Sequence, residues 1–155
     1  MLNRLFHIAI NSTDLERSVA FYRKLGFQVL QDRTVKNDQV KQAFAVPSGD
    51  LRFVHLRLGD DADATLLDIV QWFDPATLDT GAEPVQQHQR GLTRFAVLTD
   101  DAQAVYDALS EDGVEFLTKP TSVMTPEGGW KICLAKDPDG VVVQVTELLP
   151  APNGG

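Results

Sequence analysis

Apolar and polar residues alternate with period two over 5–11 (LFHIAIN). Phe6, Ile8 and Ile10 share one face and Leu5, His7 and Ala9 the other, so this stretch predicts a strand. The period then lengthens. Leu15, Val19, Tyr22 and the adjacent Leu25 make a helical stripe, opened by Ser12-Thr13-Asp14 and closed by Gly26. Thr13 and Glu16 stand at the spacing of a capping box. Residues 27–31, 51–58 (LRFVHLRL) and 65–72 (TLLDIVQW) predict three more strands, the last two parted by the turn-rich Gly59-Asp60-Asp61-Ala62-Asp63. Between them, Asn37 to Val46 carries Val40, Ala43 and Phe44 at helical spacing and ends before Pro47, which predicts a short helix or lid.

The stretch 74–90 contains Pro75, Gly81 and Pro84 without sustained periodicity and reads as a linker. The pattern then restarts. Residues 92–98 predict a strand, Asp100-Asp101 a helix start, Val105, Ala108 and Leu109 its stripe, and Gly113 its end. Strands follow at 114–117, 130–136 and 141–147, the last two joined by Asp137-Pro138-Asp139-Gly140. His7 aligns with Arg94 at an offset of 87 (94 − 7), and Gly26 with Gly113 at the same offset (113 − 26). Such a register is the mark of an internal duplication of a β-α-β-β-β unit, against the competing reading of two ordinary β-α-β stretches aligned by chance. Module one is expected over 1–73 and module two over 91–148, in a single domain of 1–148 with a flexible tail at 149–155.

Composition narrows the class. A chain of 155 residues, 43% of them hydrophobic, can bury its own core without staples, and the single Cys133 excludes an internal disulfide framework. A net charge of −8, from 14 Lys plus Arg against 22 Asp plus Glu, argues against nucleic acid. No run approaches the ~18 apolar residues of a membrane span, and the N-terminus lacks the apolar region of a signal peptide. A cytoplasmic protein is the expectation.

Four segments carry a resemblance to a known family: FHIAINSTDLERSVAFYRKLGF near the start, TLLDIVQW, GLTRFAVLTDD, and GGWKICLAKDPDGVVVQVTEL near the end. The most specific piece is DPDG followed by a strand with a polar residue four positions after the glycine. Together they resemble the vicinal oxygen chelate superfamily, which includes glyoxalase, bleomycin-resistance proteins and extradiol dioxygenases. The resemblance spans Leu5 to Leu148 and implies an α+β fold. Its two tandem β-α-β-β-β modules would form cupped, mostly antiparallel sheets around a central site, in a homodimer.

The resemblance also implies a divalent metal held by His, Glu, His and Glu, positions that fall here on His7, Asp68, Arg94 and Gln144. Only His7 is unchanged. Arg94 brings a permanent cation and no lone pair, and Gln144 is neutral. Two strong ligands beside a guanidinium are poor company for an ion, since like charges at ~4 Å cost several kcal/mol at an effective dielectric of 20. No cofactor is therefore expected, and Arg94 is expected to pair with Asp68 in the ion's place.

Strand alternation puts each of these four on a largely apolar face. One polar residue so placed is commonly a satisfied core group; four at corresponding strands point to a site. His55 shares its face with Phe53 and Arg57 and either lines the cup or lies at the surface. Trp72 and Trp130 stand as candidate substrate contacts, each with a core or interface role as the alternative. Cys133 alternates with apolar residues and reads as core, and His88 falls in the polar linker.

The first functional reading is a glyoxalase-like enzyme, a lyase or isomerase acting near a carbonyl of a small organic molecule. His7 and Asp68 would move protons and Arg94, Gln144, His55, Trp72 and Trp130 would hold substrate. Oxygen-dependent ring cleavage is disfavoured, because it needs an iron site with three good ligands. The alternative is a drug- or metabolite-sequestering protein of the bleomycin-resistance type, which needs an aromatic-lined groove and no proton-transfer pair.

Overall fold

In the computed structural model, which describes residues 2–152, eight strands and three helices follow one another. They are β1 (His7–Asn11), α1 (Leu15–Lys24), β2 (Phe27–Lys36), α2 (Asp38–Phe44), β3 (Asp50–Leu58), β4 (Leu66–Asp74), β5 (Phe95–Leu98), α3 (Ala102–Glu111), β6 (Glu115–Thr125), β7 (Gly128–Lys136) and β8 (Val142–Leu149). The chain divides between Thr80 and Gly81 into two compact units. The first contains a four-stranded sheet in the order β1-β4-β3-β2, the second one in the order β5-β8-β7-β6. In each sheet the first strand of the unit runs parallel to the last, and the other neighbours are antiparallel. The fold is thus α+β with two repeated β-α-β-β-β modules, as the pattern of the chain predicts. Among the described residues no helix is long and apolar enough to cross a membrane.

The repeat extends to individual hydrogen bonds. Ser12 N–H donates to the Val70 carbonyl at 2.7 Å, and Thr99 N–H to the Thr146 carbonyl at 2.9 Å. Leu15 N–H, at the start of α1, donates to Gln71 Oε1 at 3.2 Å, and Ala102 N–H, at the start of α3, donates to Glu147 Oε2 at 2.9 Å. The front of each unit keeps the offset of 87 (99 − 12, 102 − 15), whereas the last strands are offset by 76 (146 − 70, 147 − 71). The difference of 11 (87 − 76) has a definite place. Thirteen residues, 37–49, join β2 to β3, and two, 126–127, join β6 to β7. The first unit carries α2 in that connection; the second has a tight turn.

Asp14 caps α1 by accepting from Arg17 N–H, and Asp101 caps α3 by accepting from Gln103 and Ala104 N–H. The capping box expected of Thr13 and Glu16 does not form: the cap is one residue later, and Thr13 Oγ1 accepts from the Arg17 guanidinium instead. Gly26 and Gly113 follow their helices with φ of +93° and +83°, conformations that a residue with a Cβ adopts only at a cost. α1 buries Leu15, Val19, Phe21 and Tyr22 against a sheet face on which Ile10, Ile69 and Val54 lie side by side on β1, β4 and β3. The equivalent core of the second unit gathers Ala102, Cys133 and Val145.

Several boundaries differ from the sequence reading. β2 and β6 are much longer than 27–31 and 114–117, because both are edge strands whose polar residues face solvent and so break the apolar pattern. β6 also shifts register twice around Pro120, which has no N–H to give a ladder. β5 begins at Phe95, so Arg94 lies just ahead of it. At the far end β8 continues through Leu149, into the expected tail, and residues 153–155 lie outside the described residues.

The side chain of Gln71 clamps the start of α1, because its Nε2 also donates to the Thr13 carbonyl at 3.0 Å. Gln71→Ala should lower the urea-derived stability by about 1–3 kcal/mol, since it leaves the N–H of buried Leu15 without an acceptor. Gln71→Glu keeps an acceptor at that position, as Glu147 does in the second unit, and should keep most of it.

Candidate functional site

Alternation places His7 on β1, Asp68 on β4 and His55 on β3 on the sheet face opposite α1. Register brings them together. His55 is the direct partner of Asp68 across the antiparallel β3–β4 pair. Asp68 stands opposite Ala9 across the parallel β1–β4 pair, so His7 lies two residues along on the same face. His7 Nε2 is 3.9 Å from one Asp68 oxygen and His55 Nε2 is 3.6 Å from the other. These are ion-pair separations, too long for hydrogen bonds. Asp68 Oδ1 and His7 Nδ1 are buried without a hydrogen-bond partner. Burial raises the Asp68 carboxyl above the usual carboxylate range, and the two imidazoles pull in the opposite direction.

Above this floor lies a cavity of about 440 Å³, a size typical of small-molecule sites. Its walls are largely apolar: Leu51 and Phe53 from β3, Val70 and Trp72 from β4, Val35 from β2, and Val40 and Phe44 from α2. Phe44 and Trp72 meet edge to face with ring centroids 5.7 Å apart. Trp72 is held from both ends. Its indole N–H donates to Asn11 Oδ1 at 3.1 Å, and its backbone N–H donates to Thr77 Oγ1 at 2.9 Å. Asn37 caps α2 through Val40 N–H. Gly49 lets the returning chain pass beneath the helix, where a Cβ would collide with the Asn37 carbonyl and come within 2.9 Å of Val40 Cβ.

In the second unit, Arg94 Nε donates to Gln144 Oε1 at 2.6 Å and Arg94 Nη1 to Gln87 Oε1 at 3.1 Å. Gln144 in turn donates to Thr146 Oγ1 at 2.9 Å. The guanidinium is thus engaged inside its own unit, and the Asp68 carboxylate faces the histidines of its own. Trp130 is 45% exposed on β7, opposite Val123 and Leu148, so it is not a core residue. Cys133 is fully buried, and burial pushes its thiol up to about 11, as befits a packing residue. His88 is exposed.

His7 and Asp68 are the two strong ligands at the positions that the family pattern marks. His55 is a third. One ligand atom from each of the three lies within 4.8 Å of the others. Two imidazoles and a carboxylate whose buried oxygen lacks a partner form a donor set that fits a divalent transition ion. Sequence reasoning also missed Asn11 and Phe44. Asn11 continues the His7–Ala9 face of β1, and Phe44 belongs to the helical spacing already visible at 40–44.

Comparison with known proteins agrees with this architecture. The signature of the Glyoxalase/Bleomycin resistance protein/Dioxygenase superfamily matches residues 4–145. The chain is 25% identical over 151 residues to a putative lactoylglutathione lyase of Brassica oleracea var. gemmifera, covering 97% of this chain and 46% of that protein. It is 23% identical over 151 residues to a lactoylglutathione lyase of Arabidopsis thaliana, with the same coverage. It spans about half the length of these curated relatives. Among solved structures, a glyoxalase family protein from Bacillus cereus superposes with a TM-score of 0.82 at 15% identity, covering 96% of both chains. An antibiotic-binding protein from a Streptomyces species gives 0.60 at 24% identity, covering 95% of this chain and 97% of that one. At these identities the likeness is one of fold.

Proposed function

We propose, for a chain that belongs to the glyoxalase/bleomycin resistance protein/dioxygenase superfamily, that the roofed cavity of its first unit is the active site of an enzyme acting on a small carbonyl compound. The reaction is a proton shift at the carbon beside the carbonyl, as in an isomerase or lyase. The observation that carries this reading is the clustering of His7, His55 and Asp68 on the floor of an otherwise apolar cavity. A carboxyl raised by burial, set in a cleft beside two imidazoles, is the usual signature of proton-transfer chemistry.

Phe44 and Trp72 hold the apolar part of the substrate, and the Trp72–Asn11 hydrogen bond fixes the ring against which it packs. The apolar walls exclude water, so charges on the floor act at low dielectric. An oxygen of Asp68 takes the proton from carbon, and its raised basicity suits it to the task. The imidazoles of His7 and His55 flank the carboxylate through Nε2, and Asp68 returns the proton to the neighbouring atom. No electrons leave the substrate, so no redox partner is needed. A divalent ion held by His7, His55 and Asp68 would supply positive charge to the carbonyl oxygen as it becomes enolate-like.

The aromatic pair supports a second reading, in which the cavity sequesters an apolar ligand without turning it over. Deuterium exchange beside the carbonyl, followed by NMR in D2O, separates the two. The probes are S-lactoylglutathione, chosen for the names of the distant relatives, and a panel of 2-hydroxy and 2-oxo carbonyl compounds. The enzymatic reading expects exchange or conversion of at least one probe, slowed at least tenfold by His7→Ala. Tight binding with no exchange, unchanged by His7→Ala, would establish the sequestering protein instead.

A further inference from the structure

We infer that the first unit by itself holds a divalent first-row transition ion, through His7, Asp68 and, as the third ligand, His55 of β3, with the remaining coordination positions left to water or substrate. The family resemblance points elsewhere for the third and fourth ligands, to Arg94 and Gln144 in the second unit, and neither is a good ligand. The third donor of this chain comes from a strand to which that pattern assigns none.

Four observations support the assignment. The three ligand atoms lie within 4.8 Å of one another, and the two contacts to Asp68 measure 3.6 and 3.9 Å. An ion about 2.1 Å from each ligand in a tetrahedral arrangement sets them about 3.4 Å apart, so small rotations of the side chains complete the site. The cluster does not close on itself, since the separations exceed hydrogen-bonding distance and Asp68 Oδ1 has no donor. A carboxylate in an apolar cavity needs a cation or a proton.

The imidazoles are also oriented without use of their nitrogens. Phe6 packs against His7 at 5.0 Å and edge-on to His55 at 6.0 Å, and Phe53 packs against His55 at 4.9 Å between centroids. Aromatic packing fixes the rings and leaves His Nε2 atoms directed at Asp68. Finally, two neutral imidazoles and one carboxylate leave a divalent ion with a net charge of +1 facing the cavity. Three protein ligands with an open position are the pattern of catalytic rather than structural metal sites.

The inference rests on the reading of this cavity as the ligand site, but ion binding and turnover are measured apart. Full-length protein stripped with chelator is titrated with Zn²⁺ by calorimetry and with Co²⁺ by visible absorption. One ion per chain is expected, with a Co²⁺ spectrum of low coordination number. His55→Ala and His55→Gln should each weaken Zn²⁺ binding by at least about tenfold, while His88→Ala, at an exposed histidine, should not change it. His55→Gln keeps a polar side chain of similar reach and guards against a folding defect, which circular dichroism checks in both variants. Absence of stoichiometric binding, or His55 variants that bind within about threefold of the unmodified protein, overturns the assignment. Ion binding as expected with no turnover of any probe would leave the site standing and remove only the enzymatic reading.

Discussion

Asp68→Asn should lower turnover of any carbonyl substrate by about 10²–10⁴-fold, the usual contribution of a positioned proton-transfer group. The same substitution should not lower the thermal midpoint of the chelator-treated protein, and a rise is expected. The carboxylate sits in a largely apolar cavity with only 14% of its side chain exposed, and one oxygen has no hydrogen-bond donor. Burial there disfavours the charged form, so a neutral side chain of the same shape removes an unfavourable term. Kinetics and differential scanning calorimetry on one sample check both halves. Loss of activity together with a lower midpoint would mean that Asp68 holds the fold, and would count against its role in chemistry.

The second large effect lies on the other face of the same sheet. Ile69 is fully buried and is flanked in register by Ile10 on β1 and Val54 on β3, which are 5% and 1% exposed. Ile69→Ala should cost about 2–5 kcal/mol in chemical denaturation, the sum of lost transfer energy and an unfilled cavity among three strands and α1. Val54→Ala, a smaller deletion in the same row, should cost less. The neighbouring residue on β4, Asp68, points into the functional cavity, so loss of this packing should also loosen the floor.

The fold was legible because period and punctuation agree along the chain. Asp14 and Asp101 before the helices, Gly26 and Gly113 after them, and one constant offset between them are enough to expect a duplicated module. The full lengths of two edge strands escaped because their exposed faces need no apolar residues. In the site, His7 and Asp68 could be singled out, since a polar residue on an apolar strand face is costly without a partner. The role of His55 could not be fixed, because His55 and Asp68 face each other only through a β3–β4 register that depends on turn geometry at 59–65. The partners of Arg94 within its own unit were hidden for a related reason. A long flexible side chain finds its partners in three dimensions, here Gln144 and Gln87, and strand alternation gives only its starting point.

The eleven residues by which the two modules differ separate selectivity from reactivity. The roof contributed by α2 belongs to a connection that no strand pairing constrains, and none of its residues is buried. The floor belongs to three hydrogen-bonded strands. Insertions, deletions or substitutions in 37–49 can therefore reshape what enters the cavity while His7, His55 and Asp68 keep their positions. For redesign, this makes 37–49 the segment to randomise when a new substrate is wanted, with the three strands beneath left untouched.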